Sequence, residues 1–207
     1  MTLDQLRPMA NRLLEPSVDL AERLGLTPDG VSVVAFLLAV GAAGTFAVAG
    51  ETRLLYLAGA LLVFCNGWLD LVDGALARRL ADASAAGDLL DHVLDRYADV
   101  VIVAGLTAGV EQYALGFAAV TGVLMTSYLG TQSEAVGLER TYGGVLGRAD
   151  RLALVAAVAT VSAFVPVSIL DLSLVAWLLA LFAVVGHLTA LQRFYLAWGD
   201  LRGGSAE

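Results

Sequence analysis

The chain contains no lysine, one cysteine (Cys65), two histidines and four prolines. A lone cysteine cannot form an intrachain disulfide, which excludes the small disulfide-stapled secreted scaffolds and leaves the redox compartment open. Charge is scarce as well: 15% of the 207 residues are charged, where an ordinary soluble domain has about 25%. The net charge of −8 lacks the basic footprint of a nucleic-acid binder, so no nucleic-acid partner is expected. The first 25 residues also lack the short apolar core of a secretory signal peptide. What the chain has in quantity is apolar sequence, 58% against about 45–50% in soluble domains, with a mean hydropathy of +0.78. That composition describes an all-α integral membrane protein.

Six apolar stretches, at 31–49, 54–79, 88–110, 114–136, 150–169 and 172–197, each approach the roughly 20 residues needed to cross about 30 Å of hydrocarbon. Short connections join them, at Gly50 to Arg53, Leu80 to Gly87, Glu111 to Tyr113, Gly137 to Ala149 and Leu170 to Asp171. Six transmembrane helices are therefore expected, with Thr27-Pro28-Asp29 as the start signal of the first. Ahead of them, Leu3, Leu6, Ala10, Leu13, Ser17, Leu20 and Leu24 recur at helical spacing between charges, interrupted by Pro16. This predicts an interfacial amphipathic helix over 1–26, a six-helix domain over 27–198 and a cytoplasmic tail over 199–207.

Arginine sets the orientation. With the N-terminus in the cytoplasm, the inner segments carry Arg7, Arg12, Arg23, Arg78, Arg79, Arg140, Arg148, Arg151, Arg193 and Arg202, and the outer loops carry only Arg53. Both termini are thus expected on the cytoplasmic side of the cell membrane.

The second and third stretches carry an anomaly. Asp70 and Asp73 lie three apart, Asp91 and Asp95 four apart, with Asp88 and Asp99 on either side. Such spacings place each pair on one helical face, and a short loop suggests that the two helices are antiparallel neighbours with the pairs facing each other. Each intramembrane carboxylate costs about 2.5–3.5 kcal/mol on insertion scales. Four together are tolerable where they open to water and bind hard cations through oxygen. The plainer alternative is solvated helix-end charge paired with Arg78, Arg79 and Arg96. Four acids in paired spacing favour a metal site.

The full pattern is Asp70-x2-Asp73-Gly74-x2-Ala77-Arg78-x8-Gly87-x3-Asp91-x3-Asp95, and it resembles the signature of the CDP-alcohol phosphatidyltransferases. Leu26-Thr27-Pro28-Asp29 is similar to the Leu-Thr-Pro-Asn that precedes that family's first membrane helix, with Asp in place of Asn. The resemblance runs from about Leu3 to Trp198. It implies transfer of the phosphatidyl or archaetidyl unit of a CDP-linked lipid, CDP-diacylglycerol or CDP-archaeol, to the hydroxyl of a small polar alcohol, with release of CMP. Asp70, Asp73, Asp91 and Asp95 would hold two divalent cations, Mg2+ or Mn2+, and Asp95 would also be the catalytic general base. Asp70, Gly74, Ala77, Arg78 and Gly87 would line the CDP pocket. The family is commonly homodimeric.

For the acceptor, Ser127-Tyr128, Glu134-Ala135, Gly137 and Gly147-Arg148-x2-Arg151-Leu152 resemble the inositol-phosphate-using members. Those members typically follow the Tyr with Arg-Ala-Arg, where this chain has Leu129-Gly130-Thr131-Gln132. Arg148, Arg151 and Arg193 are the candidates for the acceptor phosphate. A phosphorylated alcohol, inositol phosphate or glycerol 3-phosphate, is the leading acceptor class, with serine as an alternative. Asn66, one turn before Asp70, is a candidate lining residue. His187, Cys65 and the Gly41, Gly44, Gly105 and Gly109 seams read as packing, His92 as lying off the Asp91/Asp95 face, and Tyr195 and Trp198 as an interfacial aromatic belt. The acidic, lysine-free composition reflects either a salt-adapted archaeal source, which would favour CDP-archaeol, or genome composition alone. Two non-enzymatic readings also compete, a divalent-cation transporter and a lipid-binding protein.

Overall fold

The computed structural model describes residues 7–81, 84–138 and 146–203. Leu3, Leu6 and Arg140 lie outside the described residues, as do the side chains of Arg7, Ala10 and Arg12. Seven helices follow in order: α1 (Arg7–Arg23), α2 (Pro28–Ala47), α3 (Leu54–Leu80), α4 (Ala85–Val110), α5 (Tyr113–Ala135), α6 (Arg148–Phe164) and α7 (Leu174–Gly203). The starts follow local chemistry. Thr27 Oγ1 accepts the Gly30 N–H at 3.1 Å with Pro28 opening the first turn of α2, and Ser84 Oγ accepts the Gly87 N–H at 3.0 Å ahead of α4.

Two expected boundaries shift. The helix expected over 150–169 ends at Phe164, because Pro166 cannot continue it, and the chain turns through a two-residue hairpin, β1 (Ser168–Ile169) paired with β2 (Leu172–Ser173). Leu170 and Asp171 take positive φ at its tip, so the loop expected at two residues spans 165–173. At the other end α7 remains helical to Gly203, so the segment expected as a tail from 199 begins as helix. Pro16 lies inside α1 and does not end it.

Helices α2, α3, α5 and α7 are long and apolar enough to cross a membrane. Helix α6 has 17 residues, and α4 carries Asp88, Asp91, Asp95, Arg96 and Asp99 along its length. The core is built on Phe46, Val63, Ile102, Leu106, Val175, Leu179 and Phe182. Small residues let helices approach: Gly59 on α3 faces the Phe46 ring, and Gly105 and Gly109 on α4 lie against the backbone at Ala43 and Phe46 of α2. The seam thus joins Gly105 and Gly109 to an alanine-rich strip, whereas none of the described residues packs over Gly44. His187 reaches Thr121 on α5 at 3.4 Å, the packing role expected of it.

The two aspartate-bearing helices are not direct packing neighbours as expected. Each packs chiefly on α2, whose Ser32, Ala35, Ala39 and Ala42 are small enough to wedge between them. Helix α1 buries Leu14, Val18 and Ala21 against Val72 and Leu76 of α3 and Val31 of α2, leaving Leu13, Leu20 and Leu24 exposed. Trp68 Nε1 donates to Ser17 Oγ at 3.1 Å, and Arg79 pairs with Asp19 and Glu22. These tie α1 to the end of α3 that bears the aspartates.

Candidate active site

The carboxylates converge in the gap that α2 holds open between α3 and α4. Asp70, Asp91 and Asp95 each offer an oxygen within 4.8 Å of the others. Asp73 stands beside them, buried, and accepts a 2.7 Å hydrogen bond from Ser32 Oγ on α2. Behind them Asn66 is fully buried: its Nδ2 donates to Ala35 O at 2.9 Å, while its Oδ1 has no hydrogen-bond partner among the described residues. Three converging carboxylate oxygens, with Asp73 and the orphaned amide oxygen of Asn66 lining the same small void, offer oxygen donors that fit a hard divalent cation such as Mg2+ or Mn2+.

Basic residues come from α6 and α4. Arg148, on the first turn of α6, donates from Nη1 to Asp70 Oδ1 at 2.6 Å, and its Nη2 lies 2.8 Å from Asp95 Oδ1. Its Nε lies 3.8 Å from Asp99 Oδ1 and has no hydrogen-bond partner among the described residues. Arg151, one turn later, donates to Asp99 Oδ2 at 2.8 Å, both groups buried. Arg96 reaches Asp95 at 3.4 Å. Of the three arginines considered as partners for the acids, Arg96 is the one that pairs with them among the described residues: Arg79 pairs with α1, and Arg78 is exposed, its Nη1 lying over Gly74.

Two cavities flank the cluster. The larger, about 540 Å³, has Asp70, Asp95, Arg96, Arg148, Arg151 and Arg193 among its polar lining, with Val63, Phe64, Leu71, Leu152 and Ala156 forming an apolar wall. The three arginines proposed for the acceptor phosphate therefore do share one cavity. Arg193 donates to Thr126 O at 2.6 Å and crosses directly over Gly130, where a Cβ would come within 2.9 Å of its Nη1. The smaller cavity, about 160 Å³, is lined by Pro28, Asp29, Ser32, Asp73, Gly74, Ala77, Ser84, Gly87, Asp88 and Asp91. Gly74, Ala77 and Gly87 thus gather in one cavity, while Arg78 is not part of its lining and Asp70 faces the other cavity. Ser32 and the buried Asp99–Arg151 pair carry weight the sequence reading did not give them. Ser32 is a polar residue one turn into an apolar run, and Asp99 extends the Asp91/Asp95 register by one turn.

Fold and site together define a multi-pass membrane protein with a carboxylate centre between two cavities. The family model for CDP-alcohol phosphatidyltransferase matches residues 25–188. Archaetidylinositol phosphate synthase of Methanothermobacter thermautotrophicus is 31% identical, over 97% of this chain and 96% of its own. Phosphatidylinositol phosphate synthase of Mycobacterium tuberculosis is 33% identical, over 85% of this chain and 81% of its own. The crystal structure of the M. tuberculosis enzyme with CDP-DAG bound superposes with a TM-score of 0.77 at 29% identity, covering 90% of this chain and 94% of that one. Its complex with manganese and citrate also gives 0.77 at 29% identity, over 89% of this chain and 88% of that one. The chain belongs to the CDP-alcohol phosphatidyltransferase family.

Proposed function

We propose that the protein transfers the phosphatidyl or archaetidyl unit of a CDP-linked lipid to the hydroxyl of inositol phosphate and releases CMP. One observation carries the reading: the carboxylate cluster is the shared wall of a small cavity lined by Gly74, Ala77 and Gly87 and a large cavity that combines arginines with an apolar wall. The first suits a nucleotide and the second a lipid phosphate and an anionic acceptor. Relatives that use inositol phosphate support this acceptor although the stretch after Tyr128 lacks arginine. Arg96, Arg148, Arg151 and Arg193 supply positive charge to the same cavity from elsewhere in the fold.

Asp70, Asp73, Asp91 and Asp95 are the residues that would hold two divalent ions, which when bound neutralise the diphosphate and stabilise departing CMP. Asp95 takes the proton of the acceptor hydroxyl. The hydroxyl oxygen forms a new bond to the lipid-side phosphorus, and the bridging P–O bond to CMP breaks with its electron pair leaving on CMP. The arginines orient the acceptor phosphate by charge-assisted hydrogen bonds, and Gly74 and Gly87 leave the backbone open to the nucleotide.

The finer topology belongs to the same reading. Helix α4 crosses with its acids turned to the site, and α6 crosses at about 25 Å on 1.5 Å per residue. That makes six spans, with α1 lying at the interface on its exposed Leu13 and Leu20. The domain runs over 27–198, and the arginine bias puts the site and both termini on the cytoplasmic side.

The test is product identification by mass spectrometry, using purified protein, Mn2+, and CDP-archaeol or CDP-diacylglycerol with inositol phosphate, glycerol 3-phosphate or serine. An inositol phosphate lipid with one of the two donors is expected. A glycerophosphate or serine lipid instead overturns the acceptor.

A further inference from the structure

We propose that Asp99 is a positioning residue that receives the Arg148 guanidinium when divalent ions claim Asp70 and Asp95. This rests on the metal-dependent reading above. Arg148 bonds two of the three carboxylates that converge, Asp70 at 2.6 Å and Asp95 at 2.8 Å. In this arrangement the guanidinium is the counter-charge of the cluster. A dication on the same oxygens repels it and competes for their lone pairs, so the two occupants exclude one another.

A displaced guanidinium that is only 14% exposed, with its Nε buried, is unfavourable without a partner, since a poorly solvated charge needs compensation. Among the described residues Asp99 is the ready receiver. Asp99 lies one turn beyond Asp95 on α4, is 5% exposed, and directs Oδ1 to within 3.8 Å of the Nε of Arg148. That Nε is the arginine's buried donor without a hydrogen-bond partner among the described residues. The other oxygen of Asp99 is fixed by Arg151 at 2.8 Å, which holds the carboxylate still. A small rotation of Arg148 exchanges two bonds to the cluster for a bond to Asp99. The motion keeps the guanidinium in the wall of the large cavity beside Arg151 and Arg193. Cation loading and the assembly of an anion-binding wall then become one coupled event, and the coupling is reciprocal.

The test is Mn2+ binding to the full-length protein in detergent, without lipid or acceptor, read by calorimetry or electron spin resonance. R148Q is expected to bind Mn2+ about fivefold or more tightly than wild type, and D99N about fivefold or more weakly, the lower range of typical site coupling. In the R148Q background, D99N is expected to change affinity less than twofold, because Asp99 acts through Arg148; D99E in the wild-type background should recover most of the loss. Thermal melting confirms that each variant is folded, and R148Q, at a partly exposed side chain, keeps the test open if D99N melts. Unchanged or weakened binding in R148Q overturns the proposal, as does a D99N effect of equal size in both backgrounds, the mark of plain charge removal. Wild-type protein that binds no Mn2+ would instead overturn the metal site itself.

Discussion

Ser32→Ala is the most informative single deletion in the site, because Ser32 lines the smaller cavity without being one of the four carboxylates that would hold metal. Its hydroxyl donates to Asp73 at 2.7 Å, and both residues are buried. A hydrogen bond to a charged group is worth about 1.5–3 kcal/mol. At about 1.4 kcal/mol per factor of ten, its loss corresponds to roughly 10- to 100-fold. The same range is typical when a partner that orients a metal ligand is removed. The perturbation creates almost no cavity, since one oxygen is deleted from a side chain that also packs at the start of α2. The assay is CMP release as a function of Mn2+ concentration. The expected result is a half-saturating Mn2+ concentration raised about 10- to 100-fold in a protein that still folds but melts a few degrees lower, and recovery of both in Ser32→Thr, which restores a hydroxyl. A Ser32→Ala enzyme with wild-type Mn2+ dependence would refute the claim that α2 positions Asp73 for cation binding.

Asp95→Asn removes the proposed base and is expected to lower kcat by about 100- to 10,000-fold while the protein remains folded; near-normal turnover would sink the assignment. Arg193→Ala is expected to raise KM for inositol phosphate by about tenfold or more with a smaller change in kcat, as suits loss of a charge-assisted bond; a KM unchanged in steady-state kinetics would remove Arg193 from the acceptor site. Gly105→Val drives a branched side chain into the Ala43 backbone of α2, and overpacking of this kind is unfavourable by about 1–3 kcal/mol. A lowered melting temperature in detergent is expected, with none at the open Gly44 for Gly44→Ala.

Much of the fold was legible because apolar runs of membrane length have few other uses. The starts of α2, α3 and α5 fall within a few residues of their expected places, since Thr27-Pro28, Arg53 and Gln112 punctuate the runs. Helix α6 was overextended because Val165, Val167, Ile169 and Leu170 continue the apolar character past Pro166, and hydropathy alone does not separate a hairpin from a helix end. The site was legible as a motif, because four acids at spacings of three and four on apolar helices are too unfavourable to be incidental. Its arrangement was not. Sequence adjacency suggested α3 against α4, whereas the small residues of α2 place that helix between them. The pairing of Arg148 with Asp70, 78 positions apart, and of Arg151 with Asp99, 52 apart, depends on where α6 docks. Nothing local encodes that.

The central claim is metal-dependent transfer from a CDP-linked lipid at the Asp70/Asp73/Asp91/Asp95 centre. Its most direct test is the stoichiometry of CMP release by the purified protein, with donor lipid and inositol phosphate, before and after removal of divalent ions by chelation. The account predicts one CMP per lipid product, none without acceptor, loss on chelation and return with Mn2+ or Mg2+. CMP release that continues unchanged in the chelated protein, or that proceeds equally without acceptor, would contradict it.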